Sequence, residues 1–329
     1  MQHVQLYPLK FEPVYQYRIW GGRRLSNLLS KPLPRNEPVG EAWILSDRDD
    51  QPSRVAEGSL KGKKIKWLMK HEPEHLMGKF AGKFERFPLL LKFLDCKEVL
   101  SVQVHPSDEL TQYIPKGESG KTEAWVVLQT GKDAIIYAGL KQGTTPGELS
   151  DSVAANKVAD DLAHFKPVEG DCVLINAGTV HTLGDVVVFE VQQNSDVTFR
   201  LYDWDRIDRK TGKPRPLQVE EAMACIDFDR TDVKKIVPVV KTDVPDLSEV
   251  LIQNEHFQLC RITGAYPFLV GKADEPRVLI CIDGGGDLEY SSDIYPVKKG
   301  EVILLPASVG SCPVVPNGKI SLLELALPQ

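Results

Sequence analysis

The stretch LSVQVHPSDE, residues 100–109, alternates apolar and polar side chains before a proline. Successive side chains of a β-strand point to opposite faces. Leu100, Val102 and Val104 are therefore expected on one face, and Ser101, Gln103 and His105 on the other. Pro106 and Ser107 end the strand. A buried row of hydroxyl, amide and imidazole needs partners, because unpaired polar groups are costly away from water. Protein groups, water or a metal ion can serve. The same short-strand pattern recurs in WVVLQTGKDAIIYAG (125–139), GDCVLINAG (170–178), DVVVFEVQQNSDVTFRLYDW (185–204) and GEVILLPA (300–307). Dense short strands broken by Gly, Pro, Asn and Asp predict a mainly β fold, a sandwich or small barrel.

Two regions lack period-2 alternation and are expected to be helical: 59–80 (SLKGKKIKWLMKHEPEHLMGKF) and 144–165 (TTPGELSDSVAANKVADDLAHF). Pro146 stands near the expected start of the second. A faint internal repeat aligns GDCVLINAGTVHTLG (170–184) with GEVILLPASVGSCPV (300–314), and His181 of the first is matched by Ser311 of the second. The acidic, proline-bearing KTDVPDLSEV (241–250) is the linker candidate, dividing the chain into 1–240 and 241–329.

At 329 residues the chain can bury a large core and form about two domains. A net charge of −6 argues against general nucleic-acid or anionic-membrane binding, though not against an anionic substrate in a locally positive cleft. The six cysteines form no C-x-x-C pair and read as small buried hydrophobes in a reducing compartment. No window approaches the roughly 18 apolar residues of a membrane span. Residues 1–20 do not read as a signal peptide, so a cytoplasmic location is expected.

Three pieces converge on one site: Gln103 with His105; GKTEAWVVL (120–128), where alternation places Lys121, Glu123 and Trp125 together; and NAGTVHTLG, which leads to His181. Two imidazoles, a carboxylate and an amide oxygen suit Zn²⁺ or Fe²⁺. A single strand histidine is more often a hydrogen-bonded core residue, so the joint pattern carries the inference. In FEVQQNSDVTFRLYDW, Asn194-Ser195-Asp196 reads as a three-residue hairpin loop that sets Glu190 across from Arg200. Lys92 interrupts the apolar run PLLLKFLD, where an unpaired charge is expensive. Arg18, Arg23 and Arg24 read as a solvated basic face.

QVHP, GKTEAW, AGTVH and QNSDVTFRLYDW, in that order, resemble the signatures of type I mannose-6-phosphate isomerases, which are zinc enzymes of the cupin fold. YRIWGGRRL and GEAWILS look like further motifs of that family, and the likeness is stronger from about Phe11 to Phe228 than beyond. Asn176 departs from the proline usual at the cupin turn. The resemblance implies two cupin barrels with a helical insertion, the second lacking metal ligands. It implies one Zn²⁺ per chain on Gln103, His105, Glu123 and His181, and a substrate-facing Arg200, Glu190 and Lys92. Trp20 and Glu41 would line the pocket, and Ser101, Lys92 and Lys121 would meet a phosphate. The implied reaction interconverts mannose 6-phosphate and fructose 6-phosphate through a cis-enediol, with Glu190, Lys121 or a metal-bound water as the base. Competing readings are an iron-dependent cupin oxygenase using His105, Glu123 and His181, and a non-catalytic sugar-phosphate-binding cupin. Oligomeric state is not read from the sequence.

Overall fold

The computed structural model describes residues 5–34, 37–242 and 246–328. Its strands form two large antiparallel sheets. The first holds β1 (Val14–Gly22), β2 (Val39–Leu45), β3 (Leu89–Cys96), β4 (Val102–Val104), β5 (Glu123–Leu140), β6 (Leu162–Phe165), β7 (Cys172–Ile175), β8 (His181–Gln193) and β9 (Phe199–Tyr202). A small ribbon, β10 (Ile207–Asp208) and β11 (Lys213–Pro214), follows it. The second sheet holds β12 (Val239–Lys241), β13 (Leu247–Gln253), β14 (Gln258–Gly264), β15 (Phe268–Val270), β16 (Arg277–Tyr290), β17 (Asp293–Lys298), β18 (Val302–Leu305) and β19 (Cys312–Ala326). Among the described residues five short α-helices connect them: α1 (Leu25–Leu29), α2 (Ile65–His71), α3 (Pro73–Met77), α4 (Pro146–Ala154) and α5 (Val219–Cys225). The mainly β expectation therefore holds.

Strand β8 organises the first sheet, pairing with β3, β4 and β5. Its odd-numbered Val187, Phe189 and Val191 join a core shared with the second sheet, where they meet residues such as Phe257, Ile280 and Leu304. On its other side Leu183, Val186 and Val188 pack with Trp20 and Trp125. Asp185, at φ +50°, marks the irregularity that lets Leu183 and Val186 share one side despite their odd spacing. Beyond Val188 this inner side turns polar, with Glu190 and Gln192 buried. Buried carboxylates and amides at one end of an apolar wall mark a site, because their desolvation must be offset by partners.

The helical expectation for 59–80 is met from Ile65 onward. Residues 58–64 form turns with Gly58 and Gly62 at φ +77° and +80°. In 144–165 the helix ends at Ala154, and Leu162–Phe165 is strand β6, corrected here because it pairs with β5, Ile136 facing Phe165. α1 and α5 were not expected.

The two repeat segments occupy equivalent places. β7 and β8 both pair with β5, and β18 and β19 both pair with β16. Ser311, matching His181, spends its hydroxyl on Val270 O at 3.3 Å. Residues 243–245 of the linker candidate lie outside the described residues; Val239–Lys241 before them already pairs with β13. All six cysteines are buried and unpaired, and burial pushes the Cys172 thiol up to about 12. Among the described residues no helix is long and apolar enough to cross a membrane.

Candidate metal centre and substrate cavity

Backbone bonds bring the donor-bearing segments together. Gly178 N–H donates to His105 O at 2.8 Å, and Ala177 N–H donates to Thr122 Oγ1 at 3.2 Å. The turn before His181 is thus tied to both the QVHP and the KTEAW segments. His105 and His181, with Glu123, place ligand atoms within 4.8 Å of one another, all buried. His105 Nδ1 donates to Val197 O and His181 Nδ1 to Thr179 O, both at 2.8 Å. These bonds fix each imidazole with its Nε2 lone pair directed inward, the usual arrangement for a ligating histidine. His105 Nε2 stands 3.5 Å from Glu123 Oε2, and His181 Nε2 3.3 Å from Oε1.

The cluster passes a simple test for a cation. His105 Nε2 and Glu123 Oε1 are buried without a hydrogen-bond partner, a state that an unfilled protein interior rarely tolerates. Two neutral imidazoles and a carboxylate are a fitting donor set for a divalent transition metal. Burial, reinforced by Lys121, holds His105 down to about 3, so it is neutral. Burial alone would raise Glu123, but the Lys121 ammonium outweighs it and the carboxyl is held well below its usual range. Gln103 joins the cluster from β4: its Cα faces that of His181, and its amide nitrogen lies 3.1 Å from His181 Nε2. Lys121 Nζ stands 2.9 Å from Glu123 Oε2.

Gln103 and Lys121 also line a cavity of about 400 Å³, together with Ser101, Trp20, Glu41, Lys92, Glu190 and Arg200. A lateral row, Trp43–Lys92–Glu190–Trp125, runs from β2 through β3 and β8 to β5, and its last three members line the cavity. Lys92 Nζ lies 3.3 Å from Glu190 Oε1, and Trp125 Nε1–H donates to Glu190 Oε2 at 2.9 Å. Burial, then the charge of Glu123, raises the Glu190 carboxyl. Glu41 is gripped by Arg18 Nε at 2.7 Å and by Trp43 Nε1 at 2.6 Å. Burial raises its carboxyl, but Arg18 and Lys92 prevail and hold it at about 2.

Three expectations need correction. The Glu190–Arg200 hairpin does not form. Lys92 and Trp125 flank Glu190, and β9 pairs instead with β4, where Arg200 faces Gln103. Arg200 still reaches the cavity. Leu100 does not share a face with Val102 and Val104, since β4 begins only at Val102; Leu100 lines the cavity with Ser101. Arg18 and Arg24 are not a solvated face, for Arg18 grips Glu41 and Arg24 Nε meets the buried Asp95 at 2.7 Å. The sequence reading also missed Arg18 and Arg215 as cavity residues. Arg18 lies two residues before Trp20 on β1, so strand alternation was the available signal; Arg215 offered none.

Comparison with known proteins shows the family of the chain. Residues 8–122 match the family model described as phosphomannose isomerase type I, catalytic domain. The chain is 36% identical over 308 residues to the mannose-6-phosphate isomerase ManA of Bacillus subtilis, covering 92% of this chain and 94% of that protein. The chain belongs to the type I phosphomannose isomerase family. A mannose-6-phosphate isomerase of Streptococcus mutans is 30% identical over 92% of the chain and 94% of its own length. The crystal structure of the mannose 6-phosphate isomerase from Bacillus subtilis superposes with a TM-score of 0.88 at 30% identity, covering 97% of this chain and 99% of that one. The phosphomannose isomerase model ends at residue 122, just before Glu123, so Glu123, His181, Glu190 and Arg200 lie beyond its match.

Proposed function

We propose that this protein is a zinc-dependent aldose-ketose isomerase that interconverts mannose 6-phosphate and fructose 6-phosphate, holding one Zn²⁺ per chain on Gln103, His105, Glu123 and His181. The observation that carries this reading is the buried donor cluster joined, through Gln103 and Lys121, to a polar cavity of about 400 Å³. When bound, the ion would supply Lewis-acid stabilisation of negative charge on the substrate oxygens.

The remaining chemistry belongs to the chain. Isomerisation moves one proton from C2 to C1 and one from O2 to O1 through a cis-enediol. Glu190 takes the C2 proton and returns it to C1. It is the buried cavity carboxylate that neither belongs to the donor cluster nor is gripped by an arginine. Lys121 is held as an ammonium. Burial opposes its charge, but Glu123 and Glu190 outweigh that and raise its pKa, so it donates hydrogen bonds to substrate oxygens. Arg200 sets fixed positive charge beside the Gln103 end of the cavity, and Ser101, Lys92, Trp20 and Glu41 shape the substrate's bed. Residues 1–240 are assigned to a catalytic cupin barrel with the helical segments as its insertion, and 241–329 to a degenerate cupin barrel without metal ligands. A cytoplasmic setting suits a sugar-phosphate substrate.

The test is a coupled assay for fructose 6-phosphate formed from mannose 6-phosphate, on protein as purified, after chelation and after Zn²⁺ is restored. Loss and recovery of turnover supports the proposal. A protein that holds stoichiometric zinc yet leaves mannose 6-phosphate untouched refutes it.

A further inference from the structure

The charges lining the cavity are not equally compensated. Lys92 has Glu190, Glu41 and Asp196 within 3.9 Å, and Lys121 has Glu123 at 2.9 Å. The wall built by β9 and the segment after β11 is different. Asp203 alone serves two guanidinium groups there, taking Arg215 Nε at 2.9 Å, Arg215 Nη2 at 2.5 Å and Arg206 Nη2 at 2.5 Å. Arg200 lies beside them, and among the described residues no carboxylate comes within 4.0 Å of it. Its Nη1 donates to Pro216 O at 2.7 Å, while its buried Nε has no partner. Burial, then the neighbouring Arg215, depresses its pKa to about 10. Asp208, the other carboxylate on this side, is turned to the Tyr17 hydroxyl at 3.2 Å and the Lys210 N–H at 2.8 Å. The two-bond hold on Arg215 leaves its Nη1 without a hydrogen-bond partner among the described residues, in a cavity wall that carries excess positive charge.

We propose that Arg215 is the phosphate-recognising residue of this cavity and that Asp203 is the positioning residue that aims it, so that the sugar's phosphate lies at this wall rather than on Ser101, Lys92 and Lys121. A guanidinium fixed by a carboxylate presents its remaining N–H groups in a rigid fork suited to phosphate oxygens. The assignment rests on the sugar-phosphate isomerase reading and deepens it, since it supplies the discrimination between a phosphorylated sugar and a free one.

Two measurements separate the subsite from the reaction. Steady-state kinetics on mannose 6-phosphate are expected to show KM raised about 10–100-fold in Arg215→Ala with kcat within threefold of the wild type. Asp203→Asn should give a smaller rise of the same kind, a split that a merely structural defect would not produce. Independently of turnover, calorimetric binding of inorganic phosphate to the wild-type holoenzyme should weaken at least tenfold in Arg215→Ala. If that variant does not fold, Arg215→Lys, which keeps the charge but loses the paired hold on Asp203, should weaken phosphate binding at least threefold. Unchanged phosphate affinity in either folded variant overturns the assignment. A wild-type protein inactive on mannose 6-phosphate, yet losing phosphate affinity through Arg215, would overturn the reaction while supporting the subsite.

Discussion

Lys92 and Glu190 sit directly across from one another on β3 and β8, with Nζ 3.3 Å from Oε1 and each side chain only 4% exposed. Breaking a buried pair by removing one partner is costly because the other charge stays buried. The two losses are not symmetric. Lys92 keeps Glu41 and Asp196 at 3.9 Å, whereas Glu190 without Lys92 keeps only the more distant charge of Lys121, itself paired with Glu123, against the like charges of Glu123 and Glu41. Lys92→Met is expected to cost about 3 kcal/mol and Glu190→Gln closer to about 1 kcal/mol. The double variant should recover part of the sum. Glu190→Gln should also lower kcat at least ~100-fold, the usual loss for a removed proton-transfer group. Urea unfolding and the coupled assay check both; equal costs for the two single variants would contradict the asymmetry.

Metal removal should be visible in stability as well as in turnover. His105 Nε2 and Glu123 Oε1 have no hydrogen-bond partner of their own, so an ion that binds only the folded chain stabilises it by mass action. At a hundredfold excess over Kd this amounts to about 2.7 kcal/mol. Chelation is expected to lower Tm by several degrees, and one equivalent of Zn²⁺ should restore it. The shift should vanish in His181→Ala. Differential scanning calorimetry against metal content reads this directly.

A pH effect arises away from the cavity, at Asp47. The residue is 1% exposed, its Oδ2 accepts the Phe87 N–H at 2.8 Å, and its Oδ1 has no partner. Burial raises the carboxyl from 3.8 to about 6. A folded-state pKa above the unfolded one means that ionisation opposes folding. The penalty is absent below about pH 4, grows between about 4 and 6, and is complete at pH 7. Its upper bound is ~3 kcal/mol. Asp47→Asn is therefore expected to stabilise the protein at pH 7, by up to that amount, and to leave stability at pH 4 nearly unchanged. Chemical denaturation at the two pH values gives the comparison, and a gain that is equal at both would rule out titration of Asp47 as its source.

The donor cluster was readable in the sequence because each donor sits on or beside a strand whose alternation fixes its side. Parity placed Gln103 with His105 and Glu123 with Lys121, whereas their union with His181 in one donor set came from the resemblance to type I mannose-6-phosphate isomerases. The Glu190–Arg200 register was not readable, because local loop chemistry was overridden at a distance. Asn194 Nδ2 bonds Phe87 O, Ser195 Oγ bonds Ser119 O, and Val197 O receives His105 Nδ1–H. These tethers hold residues 194–197 against three separate segments, and β9 is delivered to β4, roughly a hundred positions earlier in the chain. Arg215 was invisible for a related reason. Its place is set by Asp203 through side-chain bonds, which leave no periodicity in the sequence.

Gly178 offers the most local test of how the turn serves the site. Its φ of +84° lies in the left-handed region, and a Cβ there would come within 2.9 Å of Asp227 Cβ. The same residue donates its N–H to His105 O at 2.8 Å and accepts the Asp227 N–H at 2.9 Å, three positions before His181. Backbone strain of this kind costs on the order of 1–3 kcal/mol, and the steric contact adds to it. Gly178→Ala is expected to destabilise the fold by that amount. Because the turn joins the segments that carry His105 and His181, zinc affinity should fall as well, at least tenfold in a competitive chelator titration. A variant that loses stability but binds zinc as the wild type does would show that the turn supports the fold without setting the spacing of the two histidines.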